Sequence, residues 1–488
     1  MGRILVLKAS IRVSKDNIVS KIDDRIYSSF VEHMGRAIYT GIYEPDHPTA
    51  DEFGFRKDVM DLVRPLNLSH IRYPGGNFLS GYRWKDGIGP KEERPARLDL
   101  AWFQIEPNLV GTDEFLRWCE RLGVEPMLAV NLGTGTPQDA ADLVEYVNGT
   151  TPTYYAQLRA RNGHKEPYNV KLWCLGNEMD GPWQICGKTA EEYGRIAHET
   201  AKMMKWIDPD IELVACGSSN TSMKTYGEWE KTVLKHCYQD VNYVSLHSYY
   251  RNDDHDNPTF LASNIDMENM IQYIGSICKQ AKLEQKGDHD VYLSFDEWNV
   301  WYHYSTEQTP PEKWVVGRAI DQEDYDDVDT LVVGTLMNAL IRNADMVKIS
   351  CFAQLINVIA PITTEPGGRA YVRTIYKPLM YASNFGRGTS IKPIVDAPTY
   401  DCKLYKDVSF LDSSVVLCDD GSLSVFVVNR NENEDAELTL DFTGIGKYKN
   451  AEVMTIRGMD TVTEKADVSG NCLSTKLLPL SWNLIRLS

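Results

Sequence analysis

Short apolar runs alternate with longer amphipathic segments over roughly the first 385 residues of the chain. The runs are rich in β-branched residues, as buried strands are, and the segments between them have helical periodicity. There are eight such runs, at residues 25–33, 69–76, 125–133, 170–178, 212–219, 241–250, 291–299 and 345–354. Strands that alternate with helices predict parallel βαβ units. Eight units close most naturally into a (β/α)₈ TIM barrel, although a doubly wound open sheet uses the same units.

Two of the amphipathic segments carry clear helix boundaries. One begins at Thr189, which has Glu192 at capping-box spacing, and stops at Pro209. The other begins at about Thr112 and ends at Gly123, a residue suited to the left-handed end of a helix. These signals support helices between the predicted strands.

The pattern changes after Phe385 to strands and turns without a helical face between them. Apolar alternation recurs at 422–431, 435–444 and 480–488. It predicts a jelly-roll-like β-sandwich of about 100 residues. A strand-like stretch at 3–13 precedes the first barrel strand, and we expect it to pair with this sandwich. The predicted organisation is therefore an N-terminal strand segment (1–18), a catalytic barrel (19–385) and a C-terminal sandwich (386–488).

Charge and composition limit the kinds of molecule that the protein is expected to bind. The formal net charge is −18, which opposes docking onto nucleic acid or anionic lipid and favours a neutral partner. Charges interrupt the apolar run at the N-terminus before a signal-peptide core forms, and no stretch approaches the roughly 20 apolar residues of a membrane span. The ten cysteines are scattered and form no CxxC pair, so we expect a cytoplasmic protein.

Polar residues concentrate where the predicted strands end. In a barrel the chemistry lies at the carboxyl ends of the strands, and the polar side chains there converge on one axial pocket. A single acid at such a position is usually solvated or caps a helix, but several converging carboxylates need a shared explanation. The strand-end candidates are Glu32, His33, Arg72, Asn77, Asn131, Asn177, Glu178, Ser218, His247, Tyr249, Asp296, Glu297, Asn299 and Gln354.

Two of these carboxylates suit glycoside hydrolysis. Glu178 and Glu297 lie 119 residues apart on the fourth and seventh strands, so they can flank one bond from opposite sides of the ring. One would protonate the leaving oxygen while the other attacks the anomeric carbon, and Asn177 could bind the sugar 2-hydroxyl. The sequence leaves open whether their separation fits a retaining or an inverting enzyme. We expect about half of the nearby aromatic residues to face a sugar and the rest to be core: Trp84, Trp102, Trp183, Trp298, Trp301 and Tyr302.

The chain resembles the glycoside hydrolase family 51 α-L-arabinofuranosidases. The resemblance rests on motifs that occur in the family's order from the first barrel strand to the C-terminus. They are "FVEHMGRAIYTGIYEP" (30–45), "IRYPGGNFLSGYRWKDGIGP" (71–90), "LDLAWFQIEPNLVGTDEF" (98–115), "WCLGNEMDGPWQ" (173–184), "SLHSYY" (245–250), "DEWNVWY" (296–302) and "LPLSWNLIRL" (478–487).

The resemblance implies a retaining, exo-acting enzyme with Glu178 as general acid/base and Glu297 as nucleophile. Its substrates would be arabinofuranose-containing oligo- or polysaccharides such as arabinan and arabinoxylan, and it would need no metal or other cofactor. It also implies a cytoplasmic homo-oligomer, a hexamer. Carried over position by position, the residues that hold the terminal sugar would be Glu32, Arg72, Asn77, Trp102, Asn177, His247, Tyr249, Trp301 and Gln354.

Three other functions remain open at this stage. His33, His247 and His303 with Glu32 could hold a catalytic metal, although they lack HxH or HxxxH spacing. A non-enzymatic sugar-binding protein could use the same shell, and an endo-β-glucanase of the same barrel clan is the main alternative among glycosidases. The acidic stretch 252–258 could bind a cation, but a solvated loop is expected because the stretch lacks EF-hand spacing.

Overall fold

The computed structural model describes residues 7–302 and 312–488, which form a parallel barrel and a two-sheet sandwich. Its strands in chain order are β1 (Leu7–Ser14), β2 (Ile18–Lys21), β3 (Ser28–Phe30), β4 (His70–Tyr73), β5 (Arg97–Asp99), β6 (Gln104–Glu106), β7 (Glu125–Val130), β8 (Leu172–Leu175), β9 (Glu212–Ala215), β10 (Tyr243–Tyr250), β11 (Tyr292–Val300), β12 (Val347–Phe352), β13 (Ile362–Thr364), β14 (Ala370–Val372), β15 (Gly388–Ile391), β16 (Ile394–Asp396), β17 (Thr399–Tyr400), β18 (Val408–Ser409), β19 (Leu411–Cys418), β20 (Leu423–Asn429), β21 (Ala436–Gly444), β22 (Ala451–Arg457), β23 (Asp460–Ala466), β24 (Val468–Ser469), β25 (Cys472–Leu477) and β26 (Ser481–Leu487). The α-helices are α1 (Lys57–Val63), α2 (Thr112–Leu122), α3 (Pro137–Asn148), α4 (Tyr154–Arg161), α5 (Ala190–Ile207), α6 (Glu228–Cys237), α7 (Asn257–Phe260), α8 (Asn264–Glu284), α9 (Asp327–Arg342) and α10 (Tyr376–Phe385).

Eight parallel strands close the barrel in the order β3, β4, β7, β8, β9, β10, β11 and β12. The ring closes where Cys351 of β12 lies beside Ser28 of β3. At least one helix follows each of these strands, so the predicted (β/α)₈ barrel is confirmed over the doubly wound alternative. No helix of the described residues is both long and apolar enough to cross a bilayer.

The barrel strands bury side chains on both faces, which explains why they appear in the sequence as continuous apolar runs. Along β8 the four residues are all buried. Leu172 and Cys174 belong to the cluster inside the barrel, whereas Trp173 and Leu175 belong to the layer under the helices. This division follows from the two-residue period of a strand.

The predicted helix boundaries are confirmed, but several strands are shorter than predicted. Thr189 caps α5 by accepting from Glu192 N at 3.3 Å, and Gly123 ends α2 at φ 74°. Strand β8 stops at Leu175 instead of reaching residue 178, because Gly176 and Glu178 adopt left-handed backbone conformations with φ of 89° and 43°. The turn directs the residues after the strand into the mouth of the barrel.

The C-terminal sandwich has sheets of five and seven strands that share one apolar core. The predicted strands after Phe385 appear as β20, β21 and β26. Each sheet also takes a strand that precedes the barrel: β1 pairs with β21, and β2 pairs with β15. We propose the division 1–18, 19–385 and 386–488 on this basis, with the N-terminal contribution reaching Lys21.

A buried ionic cluster joins the barrel to the sandwich. Asp412 of β19 accepts a hydrogen bond from Asn338 Nδ2 at 2.8 Å and pairs with Arg342 Nη2 at 3.0 Å, both from α9. Arg430 Nη2 lies 3.5 Å from the same carboxylate. Asp412 is only 7% exposed, so its charge depends on these partners rather than on water.

We predict that Asp412→Ala lowers the free energy of unfolding by about 3–5 kcal/mol, because it removes the buried carboxylate that two arginines share: Arg430 loses the carboxylate beside it, and Arg342 keeps only its pair with Glu268. The measurement is the denaturant or thermal midpoint. The matched control is Asp419→Ala, which removes the exposed pair between Lys21 and Asp419 and should leave the midpoint almost unchanged. Equal midpoints for the two variants would contradict the prediction.

Candidate active site

The carboxyl ends of the barrel strands open into a cavity of about 870 Å³. Glu178 lies in its wall, and Glu297, which is 5% exposed, is hydrogen-bonded to Tyr249 of the same wall. The lining includes five of the residues that the resemblance assigned to the site, namely Asn77, Trp102, Glu178, Tyr249 and Trp301. Polar groups from separate loops therefore converge at the end of the barrel where barrel enzymes place their chemistry.

Glu297 is held by two donors. Arg72 Nη1 donates to Glu297 Oε1 at 2.8 Å, and the Tyr249 hydroxyl donates to Oε2 at 2.8 Å. Arg72 also donates to Asn177 Oδ1 at 2.6 Å, so one guanidinium links the fourth and seventh barrel strands. Both oxygens of Glu297 are thereby held by hydrogen bonds, and the positive charge of Arg72 lies beside one of them.

Glu178 has different surroundings. Its Oε1 lies 2.9 Å from His247 Nδ1, and its Oε2 accepts a hydrogen bond from the indole nitrogen of Trp183. Burial, together with the charge of Glu297, raises the pKa of Glu178, against the opposing effect of His247. The two glutamates are thus distinguished by their neighbours: Arg72 pairs with Glu297, while Glu178 is biased toward its protonated form.

His247 connects the carboxylates. Its Nε2 lies 3.0 Å from Asp296 Oδ1, and its Nδ1 lies 3.6 Å from Glu297 Oε2. Burial alone would lower the pKa of His247, but the surrounding carboxylates raise it to about 10. Burial alone would likewise raise the pKa of Asp296, yet Arg72 and His247 hold it below its usual range. When Glu178 is protonated, the positive charges of Arg72 and His247 balance the negative charges of Asp296 and Glu297.

Asp296 belongs to this network, but it is missing from the residues that the resemblance implied for the site. The sequence showed it beside Glu297, and neighbouring residues of a regular strand face opposite sides. The structure has a bulge here: β10 advances two residues from Ser245 to His247 while β11 advances three from Ser294 to Glu297. The extra residue brings both Asp296 and Glu297 within reach of His247.

Glu32 and its partners form a second part of the site. Glu32 Oε1 accepts from Phe78 N and from Trp102 Nε1, both at 2.9 Å, and Gln354 Nε2 donates to Oε2 at 3.3 Å. Burial and the charge of Glu297 raise the pKa of Glu32 to about 8. A side chain at Gly76 would place its Cβ 2.2 Å from Glu32 Oε2, so the glycine makes room for this carboxyl group.

Three of the six aromatic residues considered from the sequence line the cavity: Trp102, Trp183 and Trp301. Trp298 is fully buried and donates to Ser350 Oγ at 2.7 Å, while Trp84 and Tyr302 bond to Asp139 O and Asp329 Oδ1. The other three residues of the set therefore do not line this cavity, in line with the expectation that about half of the six would be core.

The structure differs from the metal site that the sequence left open. His33 does not line the cavity: its ring nitrogens lie 2.6 Å from Glu106 Oε2 and 2.7 Å from Tyr73 OH, and His303 lies outside the described residues. Within 7–302 and 312–488, the group with metal-ligating geometry is Glu178, His247 and Glu297, with one ligand atom of each inside 4.8 Å of the others. A proton on His247 opposes such binding because a metal needs the neutral ring.

The acidic stretch 252–258 uses its charges within the protein. Asp253 pairs with Arg251, Asp254 lies 3.1 Å from Lys403 Nζ, and Asp256 caps α7 by accepting from Thr259 N at 3.2 Å. The stretch therefore forms a structured loop at the edge of the cavity. All ten cysteines are free thiols, and nine of them are buried or partly buried in the barrel and the sandwich.

Comparison with known proteins identifies the family. The domain described as alpha-L-arabinofuranosidase 1 domain matches residues 62–259, and the alpha-L-arabinofuranosidase C-terminal domain matches residues 296–470. The chain is 48% identical to the intracellular exo-α-(1→5)-L-arabinofuranosidase 1 of Bacillus subtilis (strain 168), over 98% of this chain and 99% of the relative. It is 47% identical to an exo-α-(1→6)-L-arabinofuranosidase of Bifidobacterium longum, over 97% of this chain and 96% of the relative.

A solved structure gives the same result. The fold superposes on a family 51 α-L-arabinofuranosidase from Bifidobacterium longum with a TM-score of 0.93 and 40% identity, covering 99% of this chain and all of the other. These relatives are arabinofuranosidases, so the endo-β-glucanase alternative is not supported. The barrel, the paired glutamates at its mouth and full-length similarity at this identity together show that the chain belongs to the glycoside hydrolase family 51 α-L-arabinofuranosidases.

Proposed function

We propose that the protein removes terminal, non-reducing α-L-arabinofuranosyl residues from arabinan, arabinoxylan or arabino-oligosaccharides with retention of configuration. The observation that supports this most directly is the separation of the two glutamates. An oxygen of Glu178 and an oxygen of Glu297 lie within 4.8 Å of each other beside His247. A retaining pair stands about 5–5.5 Å apart, whereas an inverting pair needs about 6.5–9.5 Å to admit a water.

The reaction is a double displacement. A carboxylate oxygen of Glu297 attacks the anomeric carbon while Glu178 gives its proton to the departing glycosidic oxygen, which leaves a covalent glycosyl-enzyme and an alcohol. In the second step the Glu178 carboxylate takes a proton from water, and the resulting oxygen nucleophile displaces Glu297 from the sugar. Both glutamates return to their starting protonation states.

The surroundings of each glutamate support this division of roles. A nucleophile must be ionised and correctly aimed, and Glu297 has a cation on one oxygen and a phenol on the other. A general acid must carry a proton at rest, and burial favours the protonated form of Glu178. Asn177 Nδ2 is buried and has no hydrogen-bond partner among the described residues, so it is available for a sugar hydroxyl.

The terminal sugar would occupy the part of the cavity nearest Glu297. Asn77, Trp102 and Trp301 form its walls, and Glu32 with Gln354 supplies polar atoms for its hydroxyl groups. His247, Arg72 and Tyr249 orient the nucleophile and the acid rather than reacting themselves. No cofactor takes part in this scheme.

The cellular setting is also a proposal. Several similar proteins carry the word intracellular in their names, which supports a cytoplasmic enzyme that acts on imported oligosaccharides. The resemblance to the family supports a homo-hexamer. A monomeric mass in sedimentation equilibrium would contradict the hexamer without affecting the catalytic proposal.

We predict that a slow arabinofuranosyl substrate with an activated leaving group labels Glu297. Proteolysis and mass spectrometry should place the added sugar on the peptide that contains this residue. Glu297→Gln should lower kcat by roughly 10⁴-fold or more because the covalent step is lost. A chelator should leave the wild-type activity unchanged. A label on any other residue would overturn the mechanism.

We predict that Glu178 sets the basic limb of the pH profile. The pKa of Glu178 is raised, the acid works only when protonated, and kcat/KM should therefore fall as the pH rises through that pKa. In Glu178→Gln the limb should disappear, and kcat/KM on arabinobiose should fall by about 10²–10⁴-fold while an aryl substrate with an excellent leaving group loses far less.

The matched control for this experiment is the neighbouring acid Asp180. Its carboxylate accepts hydrogen bonds from Ser219 N at 3.0 Å and from the Ser219 hydroxyl, so it joins two loops and does not reach the sugar in this proposal. Asp180→Asn should keep the basic limb. Loss of the limb in this variant and its retention in Glu178→Gln would reverse the assignment.

We predict that Tyr249→Phe lowers kcat/KM by about 10–100-fold, because it removes a hydrogen bond to a charged nucleophile. The comparison is Tyr243→Phe on the same strand. The Tyr243 hydroxyl donates to Glu212 at 2.6 Å at the opposite end of the barrel, so kcat/KM should stay near the wild-type value. Similar losses in both variants would indicate a structural effect of the substitution instead.

A further inference from the structure

A hairpin of the sandwich reaches over the mouth of the barrel. Strands β17 and β18 pair between Thr399 and Ser409, and the segment between them packs on the loop that follows β10. Lys403 N donates to Thr259 Oγ1 at 3.0 Å, and the Tyr400 hydroxyl donates to Pro258 O at 3.0 Å. Together with the pair between Lys403 and Asp254, these contacts fix the hairpin tip in place.

The hairpin tip lines the same cavity as Glu178. Lys403, Leu404 and Tyr405 contribute to its wall, together with residues from the loops of the barrel. Leu404 is 68% exposed, and Trp183, another residue of this wall, is 47% exposed. An exposed leucine and an exposed tryptophan that line one cavity are suited to the apolar C–H faces of a sugar.

This part of the cavity lies on the leaving-group side. In the proposed mechanism Glu178 protonates the departing oxygen, so the departing sugar must extend from Glu178 away from Glu297. Glu178 and Trp183 are joined by a hydrogen bond. Asn220, Tyr250 and the hairpin tip line the same cavity. Its volume of about 870 Å³ is near the upper end for pockets that hold drug-sized ligands, which is more than a single pentose requires.

We infer that the hairpin tip, through Leu404 and Tyr405, binds the second and third sugar units of an arabino-oligosaccharide and so determines which chains are good substrates. This inference rests on the proposed function. Leu404 and Trp183 would contact the ring faces, and Lys403 and Asn220, polar residues of the same lining, would bind ring hydroxyls. A domain outside the barrel thus supplies part of the specificity of the barrel's active site.

The names of the relatives give an independent reason to expect that residues on the leaving-group side distinguish between glycosidic linkages. Two proteins about equally identical to this chain, at 48% and 47%, are named for (1→5) and (1→6) linkages. A change of linkage leaves the terminal sugar the same and alters the direction of the departing chain. Residues that distinguish linkages must therefore contact the leaving group, beyond the bond that is cleaved.

The test compares substrates of increasing length in variants of the hairpin tip. We expect Leu404→Ala to lower kcat/KM for (1→5)-linked arabinotriose and arabinotetraose by about three- to tenfold, mainly through KM, because part of an apolar contact is lost. The kcat/KM for 4-nitrophenyl α-L-arabinofuranoside should stay within about twofold, since that substrate does not reach the hairpin. Leu404→Met should restore most of the activity on the oligosaccharides.

The matched control is Leu283→Ala, which removes another exposed leucine, 80% exposed near the end of α8, and should change neither substrate. Tyr405→Phe tests the hydroxyl separately, and thermal unfolding midpoints show that each variant is folded. Equal effects of Leu404→Ala on the aryl glycoside and the oligosaccharides, or no effect on either, would overturn the inference. A wild-type enzyme inactive on the aryl arabinofuranoside would instead overturn the proposed function.

Discussion

The structure depends on placing several carboxyl groups in one nearly dry pocket. Glu32, Glu178, Asp296 and Glu297 are each at most 9% exposed at the mouth of the barrel. Burying that many anions without partners would cost far more free energy than a domain has available. Arg72 and His247 supply the positive charge, and the remaining carboxyl groups are biased toward their neutral forms. The same balance of charges gives Glu297 surroundings suited to a nucleophile and Glu178 surroundings suited to an acid.

The fold brings the acidic and basic groups of the site together. Parallel strands bring residues that are far apart in sequence to one end of the barrel, and the apolar layers on both faces of each strand fix their positions. The bulge in β11 then places two consecutive acids on the same side. Left-handed backbone at Gly176 and Glu178 turns the fourth strand end inward. Local irregularities in a regular barrel therefore position the reactive groups.

The sandwich packs against the barrel and contributes to the cavity that holds the active site. Its two sheets include strands from both ends of the chain, and the buried cluster around Asp412 holds it against α9. Apolar residues of the sandwich also pack in the cluster that lies under the barrel helices, and the hairpin between β17 and β18 contacts the segment that follows β10. The domain that carries no nucleophile or acid can in this way contribute to the shape of the substrate cavity.

The sequence by itself determined the eight barrel strands, the sandwich and the helix boundaries, because hydrophobic periodicity and capping are local properties of the chain. It also singled out Glu178, Glu297 and the polar residues around them, since strand ends can be located from the same periodicity. The tertiary structure alone decided that Asp296 joins His247, that Glu178 and Glu297 lie within 4.8 Å, and that Leu404 faces their cavity. Those facts depend on a one-residue bulge and on contacts between segments more than a hundred residues apart, which no local pattern encodes.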